Sequence, residues 1–136
     1  SFDAVTMWHV IEHVHDLNDC VKKIHNILKK DGKLIVAVPN HKSFDANYYA
    51  SFWAAWDIPI HLWHFHPESM RKLMEKHQFK IEKIIPMPLD AAYVSMLSEQ
   101  YKSGSKLPGL IKGLWFALKG KLSPEKCSSV IYVIGK

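Results

Sequence analysis

Apolar and polar positions alternate across Phe2-Asp3-Ala4-Val5-Thr6-Met7-Trp8, a period of two that predicts a strand, and the run enters the ionisable cluster His9-Val10-Ile11-Glu12-His13. A helix is expected from about Asp16, with Asp19 in the first turn, where a negative charge suits the helix dipole, and Leu17, Val21, Ile24 and Leu28 on one face. Lys29-Lys30-Asp31-Gly32 predicts its end: the lysines suit the negative pole, and Gly32 suits a left-handed position beyond the C-terminus. Lys33 to Val38 is then almost continuously apolar, as expected of a strand covered on both faces, and Pro39-Asn40 closes it. These elements make one β-α-β unit with a polar crossing point at the carboxyl end of its first strand, the end at which open α/β sheets bind ligands.

From residue 41 to 66 the periodicity gives way to aromatics (Phe44, Tyr48, Tyr49, Phe52, Trp53, Trp56, Trp63, Phe65) interleaved with His41, His61, His64 and His66. A connection of this length is uncommon unless it is functional or disordered, and its aromatic content argues against disorder. It reads either as a lid or substrate wall, or as a helical hairpin packed on the sheet. Pro67-Glu68-Ser69 opens the next helix, with Met70, Leu73, Met74 and Phe79 leading into a strand over Lys80 to Ile85 that Pro86-Met87-Pro88 ends. An insertion over 89–124 follows, and Ser128 to Ile134 has the β-propensity of a last strand. Within the insertion, Leu107, Leu110, Ile111, Leu114, Trp115, Leu118 and Leu122 form one helical stripe with Lys106, Lys112, Lys119 and Lys121 outside it. Such a stripe can lie in a membrane interface. The favoured expectation is that it packs on the chain's own lid or on a partner subunit, with Pro108, Gly109 and Gly113 weakening the helix.

The 136 residues suffice for one compact domain with a real core, and the first strand begins with no preceding element to cover it, so the chain reads as the C-terminal part of something longer. No apolar run reaches the roughly 18 residues of a membrane span, and no signal pattern opens the chain. Cys20 and Cys127, without CxxC spacing, are expected as reduced core thiols in a cytoplasmic setting. The net charge of +5 is concentrated in lysines toward the C-terminus, without the Arg-rich or aromatic-interleaved pattern of a nucleic-acid binder, so no nucleic-acid partner is expected.

The segments FDAVTMWHVIEHVHD, ILKKDGKLIVAVPN and HLWHFHPESMRKLMEKHQFKIEKI together resemble the C-terminal half of a class I S-adenosylmethionine-dependent methyltransferase from Ser1 to Ile85, with Cys127 to Gly135 similar to that family's final antiparallel strand. Within the family the look is nearest to ubiquinone-type O-methyltransferases. The resemblance implies an α/β fold: the C-terminal part of a Rossmann-like sheet, mostly parallel with a final antiparallel strand. Residues 1–136 would form the C-terminal portion of a single domain, carrying the lid-like insertion 41–66 and the amphipathic insertion 89–124. It also implies S-adenosylmethionine as cofactor, with Met7, Trp8 and His9 against it, and a small-molecule acceptor, glycan- or lipid-linked. The family's Gly-rich cofactor loop has no counterpart among glycines 32, 104, 109, 113, 120 and 135, so the chain alone is expected to bind cofactor weakly or not at all.

A sulfonium methyl is already activated, so positioning supplies much of the catalysis, and a base helps when the acceptor is a hydroxyl. His9 at the strand end and His61 and His64 at the mouth of the lid are the candidates, since histidine titrates near neutrality. The pentapeptide from His9 to His13 also satisfies H-x-x-E-H, a zinc-peptidase pattern, but that site needs a continuous helix where a strand ends here. Some ubiquinone-type relatives carry a metal-binding E-x-x-E-H at this place. His9, Glu12 and His13 are therefore the metal candidates, with Glu12 and His13 as organisers of the loop by hydrogen bonds as the other reading. Outside the enzymes, the competing expectation is a non-catalytic binding or assembly module that pairs through its first strand, with another copy or with an N-terminal half.

Overall fold

The computed structural model describes all residues 1–136. Strand β1 (Phe2–Trp8) leads through a 3-10 turn at Ile11–His13 to helix α1 (Leu17–Ile27), and strand β2 (Leu28–Pro39) follows. The start of α1 is chemically defined: the Asp16 side chain accepts the Asp19 backbone N–H at 2.9 Å, satisfying one of the donors a helix N-terminus leaves free. Its end differs from expectation. The backbone passes directly from helix to extended at Leu28, and Gly32 lies inside β2 without a positive φ. The glycine that does take the left-handed position is Gly104 (φ 77), beyond a later helix.

Residues 41–66 form one short helix, α2 (Phe44–Tyr49), and 3-10 turns at Ala50–Phe52 and Ala54–Trp56. Helix α3 (Pro67–Lys76), strand β3 (Lys80–Met87), helices α4 (Pro88–Ser103) and α5 (Leu107–Leu122), and strand β4 (Ser129–Gly135) complete the chain. The sheet order is β1-β2-β4-β3. β1 and β2 are parallel, in register at Val5 with Leu34 and Met7 with Val36. β4 runs antiparallel to both its neighbours, with Tyr132 opposite Val36 on one side and Ile84 on the other, so β1, β2 and β3 share one direction. This is the mostly parallel sheet with one late antiparallel strand that the resemblance implied.

Two cores result. The larger joins the sheet to α1 and α3 through Val21, Ile24, Leu34, Val36, Met70, Met74 and Tyr132, where β2 and β4 are buried as the inner strands. The smaller lies in the lid, where Ala46, Tyr49, Trp53 and Ala55 pack with Trp56, Val94 of α4 and Phe116 of α5. The 41–66 segment thus packs mainly on the insertion's helices and forms no helical hairpin, while Phe65 at its end joins the sheet core. Cys127 is buried and Cys20 half-buried, and both are free thiols.

The stripe on α5 overturns its expected packing on the lid. Leu107, Ile111, Leu114, Trp115, Leu118 and Leu122 are all exposed, and α5 instead turns Gly109, Gly113 and Gly120 inward. The reason is distance between backbones: a Cβ at Gly113 would meet Ala92 Cα of α4 at 2.6 Å. The glycines expected to weaken the helix are its packing face.

Candidate functional site

The carboxyl ends of the three co-directional strands meet at one pocket of about 420 Å³. β1 delivers His9, β2 delivers Pro39, the step from β3 into α4 delivers Asp90, and the entry to β4 delivers Ser129. The lid closes one side with Ala54, Ala55, Asp57 and His61, while Tyr93, Val94, Leu97 and Tyr101 of α4 close another. A pocket at this end of the sheet is where the fold places ligands.

His9 is the hinge between β1 and the site. Its N–H donates to Ala37 O of β2 at 2.9 Å, keeping it in the ladder, yet its φ is 51, in the left-handed region where a side chain other than glycine is strained. That turn places the imidazole between two carboxylates: Nδ1 lies 3.3 Å from Glu12 Oε1, and Nε2 lies 3.3 Å from Asp90 Oδ2. Asp90 first and Glu12 second push the His9 pKa up to about 9, against the opposing effect of partial burial. Burial raises the Asp90 carboxyl, but hydrogen bonds from His9 and Ser129 outweigh it and hold it below the usual carboxylate range. At neutral pH His9 is therefore a cation, with each ring nitrogen 3.3 Å from a carboxylate oxygen.

The stability consequence has a definite sign. A group whose folded pKa lies above its unfolded value stabilises the fold below the unfolded pKa, near 6.5, and loses that contribution as pH rises through about 9. The His9 side chain is 38% exposed, so solvent screens the pair and its worth is about 1 kcal/mol. Thermal melts from pH 6 to 10 are expected to show a decline across this window that Asp90→Asn flattens. Parallel curves for the two proteins would remove His9 as its source.

His61 is oriented differently. The turn at Ala54–Trp56, with Asp57 at φ 39, brings the His61 N–H back to Asp57 O at 2.9 Å. The ring then donates Nδ1–H to Ala55 O at 2.9 Å, which leaves Nε2 as the acceptor nitrogen of the neutral ring. Asp57 Oδ2 stands 3.8 Å from that nitrogen, beyond hydrogen-bond range. His64 donates Nε2–H to Trp56 O at 2.8 Å and sits in a tight crevice with Trp63 and Phe65, off the main pocket.

The lid and the loop after β1 are stitched together, since the backbone N–H groups of Leu62 and Trp63 both donate to Glu12 O and the Trp63 indole donates to Val14 O at 2.7 Å. This seam gathers Glu12, His13 and His61, whose ligand-type atoms lie within 4.8 Å of one another. His13 pairs its Nδ1 with Ile60 O at 3.1 Å, leaving its Nε2 open. Glu12 is buried, and neither carboxylate oxygen makes a well-formed hydrogen bond, so the nearby His9 ring meets its charge.

Of the residues singled out from the sequence, His9 and His61 line the pocket, and His64 is beside it. Met7 packs in the core and Trp8 stands exposed on the edge strand, so His9 alone of the three cofactor candidates reaches the cavity. Among the metal candidates, Glu12 and His13 are joined by His61, while His9 pairs with Asp90. Asp90, Tyr93 and Tyr101 were not anticipated. The signal for Asp90 was available, because it lies in the first turn of a helix that begins at the carboxyl end of a strand.

Comparison with known proteins gives a consistent answer. A search of curated proteins gave no match. Among solved structures, a methyltransferase described as a possible histamine N-methyltransferase from Thermotoga maritima superposes with a TM-score of 0.61 at 22% identity, over 99% of this chain and 56% of that one. A S-adenosylmethionine-dependent methyltransferase from Archaeoglobus fulgidus gives 0.56 at 16% identity, over 98% and 59%. The phosphoethanolamine N-methyltransferase 2 of Haemonchus contortus, with S-adenosylmethionine bound, gives 0.53 at 17% identity, over 100% and 33%. The chain thus spans between a third and three-fifths of these proteins' length, and the likeness establishes the fold. The family model described as a methyltransferase domain matches residues 1–84, from β1 into β3. By this match the chain belongs to the methyltransferase-domain family.

Proposed function

We propose that the protein carrying this chain transfers a methyl group from S-adenosylmethionine to a hydroxyl oxygen of a small-molecule acceptor, with His61 as the base. The observation that carries this reading is the His61 ring, fixed at Nδ1 by a backbone carbonyl with its Nε2 left free of any hydrogen bond, in the lining of a pocket at the strands' carboxyl ends. The cofactor supplies an activated methyl and a leaving thioether. The chain's own residues then have two tasks, orienting the acceptor and taking its proton as the oxygen attacks. Tyr93 and Tyr101 offer aromatic faces with polar tips, which suits a glycan- or lipid-linked acceptor. His9 acts here as a positioning residue, because an imidazolium held by Asp90 and Glu12 has no lone pair to accept a proton. The preference for oxygen also draws on the resemblance to ubiquinone-type O-methyltransferases.

The test is titration of the full-length protein with S-adenosylhomocysteine, followed by transfer of labelled methyl from S-adenosylmethionine to a panel of hydroxyl and amine acceptors. Binding with label on a hydroxyl is expected. Absence of binding would return weight to a non-catalytic module that pairs through β1, and label on an amine alone would remove the oxygen assignment.

A second reading rests on the seam. Two imidazoles with open Nε2 atoms and a buried carboxylate form a donor set suited to a borderline divalent ion such as zinc, and poorly suited to magnesium. Occupied in that way, His61 would be a ligand and could not be the base. A chelator separates the two: activity that survives exhaustive treatment keeps His61 as the base, and activity lost and restored by zinc makes it a ligand.

A further inference from the structure

We propose that the outward face of α5 docks the protein on an anionic lipid surface, lying in the headgroup interface. Six large apolar side chains on that face, Leu107, Ile111, Leu114, Trp115, Leu118 and Leu122, are each between 53% and 78% exposed. The arrangement inverts the usual one, in which a helix buries its leucines and shows its small residues. α5 buries Gly109, Gly113 and Gly120 against α4 and Cys127, so the apolar stripe is left facing outward by the packing itself. The remedy for such a face is an apolar phase outside the fold.

Charge selects the occupant. The stretch 102–126 carries Lys102, Lys106, Lys112, Lys119, Lys121 and Lys126, against one acid, Glu125, which pairs with Arg71 at 3.8 Å. Lys112 is held by Glu99, and Lys106 and Lys121 are exposed beside the stripe. A second copy docked face to face would bring these lysines against their own kind, whereas anionic headgroups complement them and the apolar face enters the acyl boundary. Trp115, amphipathic and exposed, suits the interface level. No helix is long and apolar enough to cross a membrane, which fits a helix lying in its plane. The sheet's open edge is β1, while α5 packs beside β3 at the other edge, so strands added at β1 would not cover this face. The inference does not depend on the methyl-transfer reading.

Flotation of the full-length protein with phosphatidylcholine vesicles, alone and mixed with phosphatidylglycerol, tests it. Flotation is expected with the mixed vesicles and is expected to fall as salt is raised. The pair Ile111→Ser and Leu118→Ser should weaken partitioning by about tenfold or more, and charge reversal by Lys106→Glu with Lys121→Glu by about tenfold. The two apolar side chains are more than half exposed and both lysines are exposed, so the circular dichroism should not change and the melting temperature should change little, and that separates lost docking from lost folding. Flotation with neither vesicle, or flotation equal for the serine pair and the unaltered protein, overturns the proposal. A concentration-dependent dimer in light scattering that the serine pair abolishes, without flotation, assigns the face to a second copy and overturns it also.

Discussion

His61→Ala in the full-length protein is expected to lower kcat by about 10²–10⁴-fold, the usual worth of a positioned general base, and to leave S-adenosylhomocysteine affinity unchanged. The ring contributes nothing to the main sheet core, and its neighbours Ala55 and Asp57 are held by the lid turn through backbone hydrogen bonds, so the loss should fall on chemistry and not on folding. His64→Ala serves as the internal control, since that ring is turned to Trp56 O away from the main pocket. Steady-state turnover over a range of pH is the measurement. Equal turnover for His61→Ala and the unaltered protein would end the base assignment, and a matching loss for His64→Ala would point to a disturbed lid in place of a lost base.

Trp53→Ala is expected to carry the largest stability cost, about 3–5 kcal/mol, because the side chain is 2% exposed at the centre of the lid core. More than packing is lost. The indole Nε1–H donates to Asp45 Oδ2 at 2.8 Å, and that fully buried carboxylate takes its other hydrogen bond from Ser128 Oγ at 2.7 Å, the residue just before β4. Removing the indole therefore frees one side of the carboxylate that ties the lid to the residue before the last strand. Trp53→Phe separates the contributions: it keeps most of the apolar volume but leaves the buried Asp45 carboxylate with the Ser128 hydrogen bond alone, for about 1–3 kcal/mol. Urea denaturation of the three proteins should rank them in that order. A cost for Trp53→Phe equal to that for Trp53→Ala would make the hydrogen bond, and not the packing, the dominant contribution.

The β-α-β unit was legible because each of its signals is local. Asp16 needs only the next turn to act as a cap, and the run from Leu34 to Val38 is apolar because both faces of an inner strand are covered. The site was half legible for the same reason. His9 and His61 could be singled out as ionisable residues at a strand end and in an aromatic lid, but their roles depend on partners far away in sequence. His9 becomes a cation chiefly because Asp90, at the start of α4, meets its Nε2. The His61 Nε2 is left free because Ala55 O accepts a hydrogen bond from Nδ1–H. The α5 stripe does not pack on the lid: helical periodicity gives the direction of a face without saying what lies opposite. Close approach to α4 required the glycine side, and small residues give a weak signal against a row of leucines. Gly32 was misplaced because a helix can hand over directly to a strand, so no left-handed residue was needed at the junction.

The position of β4 sets the order in which the molecule can assemble. β3 has no partner except β4, and β4 arrives more than forty residues later in the chain. Until that strand slots in, β2 and β3 each show an unpaired flank, and the α4–α5 pair hangs from a strand that belongs to no sheet. Pairings between segments so distant form late and slowly, because the intervening chain must be closed into a loop first. A ribosome pausing after α5 would therefore hold out a sticky, half-built sheet with its greasiest helix already translated, and shielding that interval would fall to chaperones.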